Sequence, residues 1–577
     1  MNKLLGTQHS ELISQFHKLA YSEKKRYLKF IYDLGRNGLV NLFKFPGENF
    51  SLWWFSLVAE KAPLKSDSYE KLISELLRPQ NEPSVKKMAL IKKTLLFQFL
   101  NGLYAICHYM LMTIYAKKVI KDFKERHKRL VNCDYTIVSY FPLLNKEKAE
   151  YGIFENKYLA PFHKLLEENH KGRYSHICLS FNIDGMGFKD AVNLVNKFSK
   201  NQNVFLLEEF IKFRHLFFIL FYYFYFSLLF MFNLKLIKKN TLYEYEGNIY
   251  DVWHIFKNDF YRSFCGSNLA SSLLYIFAFQ KVTASLKKNS KVICVCEMQW
   301  WEKALYIFAK KHDLVTIGYQ HTIVPELLLN YFNHPNEIEK GQSGHIEKCP
   351  LPDYLATVGN IPAELFKKYG WPDERVFVWG AQRFELLKAP NKLFVPWEGK
   401  GNYFVCAFSI SDSESQRVLL LLEKAFKKTG NYNIYLRSHP SMNIPKLVEE
   451  LGIKLNPNIF EFTDIPLEEI MQRARGIIVT ESSSSLYSLA HGSPVLVPRF
   501  IDKIDCNPLS YISAIPIYCC SDDDLINACN HIAKLETSPI ADNEAERFLN
   551  DYLYFPASNN EYLDKIDSLT HLKNLTL

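Results

Sequence analysis

Tyr432-Asn-Ile-Tyr-Leu-Arg437-Ser-His439-Pro440 and Gly476-Ile-Ile-Val-Thr480-Glu481-Ser482-Ser483-Ser484-Ser485 decide how this chain folds. Each begins as a short apolar, β-rich run and stops on polar residues. The second opens at once into a helical pattern, Leu486 to His491. Strand-like runs alternating with helical patterns read as βαβ units of a parallel sheet, and in such sheets ligands bind beyond the carboxyl ends of the strands. A serine run at a strand-to-helix turn, with Arg437 and His439 at another strand end, supplies the donors a phosphate needs. Taken singly, His439-Pro440 is a turn and the serine run a helix cap. Together, Arg437, His439, Glu481, Ser482, Ser483, Ser484 and Ser485 form a candidate nucleotide-phosphate pocket.

Outward from this pair the same alternation continues. Further strands are expected at Tyr403 to Phe408, Ile459 to Phe462 and Val495 to Pro498, with helices near Gln416 to Thr429, Ile444 to Leu451 and Pro466 to Arg475. An earlier series has strands at Tyr135 to Tyr140, His176 to Phe181, Val204 to Leu207, Lys291 to Cys296, Val315 to Tyr319, Tyr354 to Val358 and Val376 to Trp379. Gln382 to Gly401, marked by Pro390, Pro396 and Gly399, is a linker. The expectation is an α/β protein of two doubly wound Rossmann-type lobes facing a cleft: a helical, membrane-proximal region 1–125, an N-terminal lobe 126–380, a C-terminal lobe 381–540 and a C-terminal helix 541–577.

Composition narrows the class. The 577 residues are 48% hydrophobic and 23% charged, which describes folded rather than disordered chain. The net charge of +9 gathers in pairs such as Lys86-Lys87, Lys92-Lys93, Lys117-Lys118, Lys238-Lys239 and Lys427-Lys428. Aromatic residues do not interleave with these lysines, so nucleic acid is not the expected partner; several pairs flank apolar segments, which favours an anionic membrane surface. Twelve cysteines without a C-x-x-C pair suit a reduced, cytoplasmic chain rather than a zinc or disulfide scaffold. No apolar core follows Met1-Asn-Lys, so no secretory signal is read.

Leu216 to Leu234 carries no charge between Arg214 and Lys235, and its length reaches the lower limit for a membrane span. Leu95 to Tyr115 is a weaker companion with Gln98, Asn101 and His108. Spanning would separate strand candidates that need one sheet. Shallow, in-plane insertion is therefore expected, at the inner face of the cell membrane; a wholly buried core helix is the other reading.

Arg437-Ser-His439-Pro440 followed by Ser482 to Ser485 resembles the HP and SS motifs of bacterial GT-B glycosyltransferases that use CMP-activated acidic sugars, the sialyl-, polysialyl- and Kdo transferases. Glu297-Met-Gln-Trp-Trp-Glu302-Lys-Ala-Leu, Gly318-Tyr-Gln320-His321-Thr-Ile-Val-Pro325 and Leu52-Trp-Trp-Phe-Ser-Leu-Val-Ala-Glu60-Lys61 resemble signature segments of surface-carbohydrate proteins of the O-antigen or capsule type. The resemblance covers most of the chain in scattered blocks, and glycerophosphate-polymer transferases that use CDP-glycerol share its HP/SS pair. It implies a GT-B-like fold and transfer of a CMP-linked acidic sugar to a surface polysaccharide or lipid-linked acceptor. His439, Ser482 and Ser483 would bind the CMP phosphate and ribose, with Ser484, Ser485 and Glu481 beside them. The acidic-acidic-glycine motif that supplies the sialyltransferase base is reduced to Ile183-Asp184-Gly185.

Sugar transfer needs a stabilised leaving phosphate and a group that takes the acceptor proton. Glu297 and His321 follow neighbouring strands and are the candidate base and its partner; capping the next helix and filling the core are the other roles open to them. Glu302, inside that helix, is expected to pair with a lysine. The loop Ser409 to Glu414 resembles the one that holds the acidic nucleophile of retaining Kdo transferases, which makes Asp412 a candidate, although Ser411-x-x-Glu414 also reads as a capping box. Asp522-Asp523-Asp524 reads as an acidic first turn. No metal and no cofactor beyond the nucleotide-sugar donor are expected. A CDP-glycerol phosphotransferase and a non-catalytic assembly factor are the rival readings.

Overall fold

The computed structural model describes residues 2–77, 94–141, 143–181, 186–338, 346–388, 395–426, 432–511, 515–540 and 542–570. Asp184 and the lysine pairs at 86–87, 92–93 and 427–428 lie outside them. The chain builds two parallel sheets. The first has seven strands in the order β3-β2-β1-β6-β7-β8-β9: β1 Tyr135–Tyr140, β2 Tyr174–Leu179, β3 Val204–Leu206, β6 Lys291–Val295, β7 Val315–Tyr319, β8 Tyr354–Thr357 and β9 Val376–Val378. The second has six, in the order β12-β11-β10-β13-β14-β15: β10 Tyr403–Ala407, β11 Asn433–Arg437, β12 Phe460–Thr463, β13 Gly476–Ile478, β14 Val495–Pro498 and β15 Pro516–Cys519. Between them in sequence, β4 Leu242–Tyr245 and β5 Asn248–Asp251 make an antiparallel hairpin. Two doubly wound lobes are thus present as expected; β15 and the hairpin were not legible in the pattern.

Strand order fixes where ligands can go. In the first sheet the order reverses between β1 and β6, and in the second between β10 and β13. Loops leaving adjacent strands at such a point turn opposite ways and leave a crevice. β6 is followed by helix α7 and β13 by helix α9, named below, and these two turns carry the candidate residues.

Eleven helices matter to the argument: α1 Asn2–Leu34, α2 Ser68–Leu76, α3 Leu95–Val119, α4 Phe213–Phe232, α5 Trp253–Cys265, α6 Ser267–Thr283, α7 Trp300–Lys311, α8 Asp412–Ala425, α9 Ser484–Ala490, α10 Asp542–Tyr552 and α11 Asn560–Asp567. The expected single C-terminal helix is two, because Pro556 and the turn around it break the run. Both return to the first lobe. Trp379 Nε1 donates to Tyr562 O at 2.9 Å, and Val324 N donates to Tyr552 Oη at 3.0 Å. Gly359 admits this crossing: a Cβ there would lie 2.1 Å from Tyr552 O. One apolar cluster accordingly runs through both lobes, from Ile137 and Ile317 to Val405, Ile477 and Tyr552.

The N-terminal helices brace the body. Lys24 of α1 pairs with Glu326 of the first lobe, and Glu70 of α2 pairs with Lys503 of the second at 3.1 Å. Two sequence blocks interlock here, since buried Lys303 of α7 donates to Trp54 O at 2.7 Å. All twelve cysteines are free thiols.

Candidate active site

At the first crevice, β6 ends at Val295, and Cys296 and Glu297 follow. Glu297 Oε1 lies 3.5 Å from His321 Nε2, while its Oε2 accepts from Tyr140 Oη at 3.3 Å and from Gln299 Nε2. Tyr140 ends β1, so the crevice itself brings the phenol to the carboxylate, and Trp301 Nε1 donates to that phenol at 3.3 Å. The Glu297 side chain keeps 29% of its surface exposed, whereas that of His321 keeps 2%. Burial pushes the Glu297 carboxyl up from its ordinary value, against Gln299, Lys65, Tyr140 and Arg383, which pull it down. Burial, then the Arg383 charge, lowers the His321 imidazole to about 3. The pair is therefore a carboxyl group, its pKa raised by burial, beside a neutral imidazole; in its ionised form that carboxyl can take a proton from a hydroxyl.

The turn after Glu297 is strained. Met298 has φ 56°, a left-handed conformation that costs a non-glycine residue roughly 1–2 kcal/mol, and such outliers concentrate at functional sites. Glu302 holds the turn: its carboxyl oxygens accept from Glu297 N at 2.8 Å and Met298 N at 3.1 Å. The expected Glu302–lysine pair is thus replaced by a buried carboxyl that caps backbone N–H groups, with burial raising it to about 8. Glu302, not Glu297, caps the turn into α7, which leaves Glu297 for the crevice.

In the second lobe the polar ends of β11 and β13 are half-exposed at Arg437, His439, Ser482 and Ser483. Arg437 lies 3.7 Å from Asp464 across the ends of β11 and β12. His439 Nδ1 accepts from Ser441 N at 3.1 Å, which puts the proton of a neutral ring on Nε2. Ser482 Oγ and Ser484 Oγ are 2.7 Å apart, and Ser484 N donates to Ser482 Oγ at 3.1 Å. Ser483, at the cap position of α9, makes no side-chain capping bond. The capping role read for the run falls to Ser482, whose Oγ takes the Ser484 N–H, and leaves the Ser483 hydroxyl out of it.

Three expected residues are placed differently. Ser485 is fully buried, and its Oγ accepts from Asn507 Nδ2 at 3.0 Å, so it fixes the strand end from inside. Glu481 turns away from the serines into an acidic cluster. Burial, then neighbouring Glu414, raises its carboxyl well above the ordinary range, with Lys503 as counter-charge. The space around Glu414, Glu481 and Lys503 measures about 10 Å³, the size of one water. Asp412 is exposed on the first turn of α8, the helix that follows β10. The capping box read there is absent, since Ser411 makes no capping bond and Glu414 turns inward.

Residues not anticipated connect the halves. Arg383, in the short helix Gln382–Leu387 after β9, lies 4.4 Å over the Tyr158 ring, which stacks on His321 at 4.8 Å. Phe384 meets Tyr487 of α9 at 6.0 Å. The reading of this stretch as linker hid Arg383; its position just past a strand end, at Gly380-Ala-Gln-Arg383, was the available signal. Tyr140 carried the same signal at the end of β1. Tyr511 of the second lobe also donates to Val324 O of the first. Among the described residues no group of three His, Cys, Asp or Glu side chains is placed to hold a metal ion.

No protein-family model matches the chain, and no curated protein matches it in sequence. Among solved structures it is similar to a glycosyltransferase from Rickettsia africae ESF-5, at 13% identity over 75% of this chain and 96% of that one, with a TM-score of 0.35. It is also similar to the calicheamicin glycosyltransferase CalG4, at 9% identity over 75% and 97% with a TM-score of 0.39. A third is the UDP-GlcNAc 2-epimerase of Methanocaldococcus jannaschii in complex with UDP-GlcNAc and UDP, at 12% identity over 72% and 98% with a TM-score of 0.38. The GT-B-like assignment stands on the two parallel sheets themselves.

Proposed function

We propose that this chain is a glycosyltransferase that moves a sugar from a nucleotide donor, CMP-linked and acidic, to a surface polysaccharide or lipid-linked acceptor at the inner face of the cell membrane. The observation that carries the reading is Glu297 against His321 and Tyr140 at the β1/β6 crevice, on a strained turn, with Arg383 between it and the serine helix of the other lobe. In this mechanism Glu297 takes the acceptor hydroxyl proton as the oxygen attacks the anomeric carbon. The bond from that carbon to the donor phosphate breaks, and the configuration inverts. His321, neutral, orients the carboxylate. Arg437, the His439 Nε2–H and the hydroxyls of Ser482 and Ser483 bind the leaving phosphate, and charge-assisted bonds of this kind are the strong ones. The acceptor and donor then approach from opposite lobes, which is the entropy advantage of a two-lobed cleft.

The test is a thermal-shift titration of the full chain with CMP, CDP, UDP and GDP, followed by a transfer assay. A ligand at a hundredfold its Kd adds about 2.7 kcal/mol of stability. Stabilisation by CMP, lost in His439→Ala and kept in Glu297→Gln, with transfer lost in both, supports the proposal. Preference for CDP and transfer of glycerol phosphate would move the chain to the phosphotransferase class. Nucleotide binding without turnover, unchanged in Glu297→Gln, would leave the non-catalytic assembly factor.

A further inference from the structure

Helices α3 and α4 turn large apolar residues outward, while the faces they seat on the protein mix polar residues with apolar ones such as Ile106, Leu216, Ile219, Phe226 and Phe230. On α3 the buried positions include Gln98, Gly102, Thr113 and Ala116, while Leu96, Leu100, Tyr104 and Leu111 are exposed. On α4 His215, Tyr223 and Ser227 are buried, while Phe217, Phe221, Leu228 and Phe232 are exposed, Phe217 to 68% and Phe232 to 83%. The two faces are continuous. Tyr223 Oη donates to Phe99 O at 2.7 Å, and a Cβ on Gly102 would lie 2.1 Å from the Tyr223 Oη, so the Tyr223 ring of α4 packs directly on the α3 backbone. Phe99 and Phe224 meet edge to face at 5.7 Å. A monomer leaves an apolar patch of this kind uncovered only where something else covers it.

Both helices are long and apolar enough to cross a bilayer, yet the packing forbids crossing. One side of α4 is seated along its whole length on the body: His215 and Tyr222 on Phe277 of α6, and Phe230 on Phe264 of α5. Helix α5 is itself tied to polar groups, with Ser68 Oγ donating to buried Asp259 at 2.5 Å. Chain leading into α4 comes from β3, and chain leaving it returns to β6 of the same sheet. Charge completes the picture. Leu95 to Val119 and Phe213 to Asn240 contain no Asp or Glu. Lys117, Lys118, Lys212 and Arg214 crowd one end of the patch, where Lys117 Nζ donates to Ile211 O; Lys235, Lys238 and Lys239 rim the other.

We infer that the outer face of α3 and α4 is a monotopic docking surface for an anionic lipid leaflet, lying in the membrane plane with the lysine rims on phosphate headgroups. An apolar face inserted to headgroup depth and flanked by cations is how such helices hold a leaflet. The inference deepens the proposed function by naming the surface that meets the membrane and the lipid class it takes, and rests on that reading only for what the acceptor is.

The test is flotation of the full chain, without substrate, on neutral phosphatidylcholine vesicles and on vesicles containing phosphatidylglycerol. We expect flotation on the anionic vesicles, lost in Phe217→Glu/Phe221→Glu. In Lys235→Gln/Lys238→Gln/Lys239→Gln, binding to the anionic vesicles should fall roughly a hundredfold, with little change on neutral ones. These side chains are exposed, so melting temperature and nucleotide response should stay at wild-type values, which separates failure here from failure of the catalytic reading. Three outcomes would overturn the inference: no flotation, flotation indifferent to both variants, or a dimer in solution that Phe217→Glu/Phe221→Glu dissociates while vesicle binding is nil. Resistance of the bound protein to alkaline carbonate, together with protease protection of loops on the far leaflet, would overturn the in-plane placement.

Discussion

Glu297 Oε1 and His321 Nε2 face each other at 3.5 Å from the ends of two hydrogen-bonded neighbours, β6 and β7. Val295 and Tyr319 are register partners, and each chain runs two residues further to reach the pair. That register, rather than proximity in sequence, sets which face the two groups share. Removing either should affect chemistry more than binding. We expect Glu297→Gln to lower kcat by about 10²–10⁴, with nucleotide affinity unchanged in a thermal-shift titration.

The pH profile follows from the direction of the Glu297 shift. Burial raises its carboxyl above the usual value, and the base must be deprotonated to act. Activity should therefore fall as pH drops through that raised pKa, giving an acid limb of kcat/KM above the ordinary carboxylate range. The limb should vanish in the residual activity of Glu297→Gln. His321, lowered to about 3, should contribute no limb near neutrality, which NMR titration of its imidazole would check.

Arg383→Gln tests the bridge between the lobes. It removes the guanidinium over Tyr158 and the second cause of the low His321 pKa, leaving burial in place. The imidazole pKa should rise yet stay under its ordinary value of about 6.5. We expect transfer to suffer more than nucleotide binding, measured as kcat against Kd.

His439→Ala removes a ring whose Nδ1 is already committed to Ser441 N. A hydrogen bond to a charged partner is worth about 1.5–3 kcal/mol, so nucleotide Kd should rise roughly tenfold to a hundredfold. Ser485→Ala should instead act on stability, because its Oγ holds Asn507. Calorimetry of the two variants would separate these roles.

Gly359→Ala is expected to lower the melting temperature without touching the crevice residues. Its Cβ would meet the backbone at Tyr552 O at 2.1 Å, and backbone cannot swing aside as a flexible side chain can. Overpacking of this kind typically costs about 1–3 kcal/mol, and the first structure released should be α10.

Glu302 makes stability depend on pH. Its folded pKa is raised to about 8, so the folded state binds that proton more tightly than the unfolded chain does. The contribution is full below the unfolded pKa near 4.5 and is lost as pH rises through about 8. Glu302→Gln does not titrate, so its melting temperature relative to the unsubstituted chain should rise with pH between those values and level off above.

Local pattern determined a good deal of this protein. The alternation of β-rich runs with helical patterns foretold both parallel sheets, because burial on two faces demands continuous apolar strands whatever the partner. The same pattern put His439 and the serines at strand ends and Glu297 and His321 at the ends of consecutive strands. What only the tertiary structure decided was direction and neighbourhood. Glu481 sits beside Ser482 in sequence yet faces Glu414 and Lys503, since a half-turn of backbone at a strand end reverses where a side chain points. Ser485 is turned inward by Asn507, which lies far along the chain. Tyr140 and Arg383 reach the crevice through strand order, and β15 was silent because it opens on Pro516, which marks a run as a turn or an edge strand, and at the edge of the sheet is where β15 lies. Strand order is set by which elements bury one another's faces, a property of pairs distant in sequence.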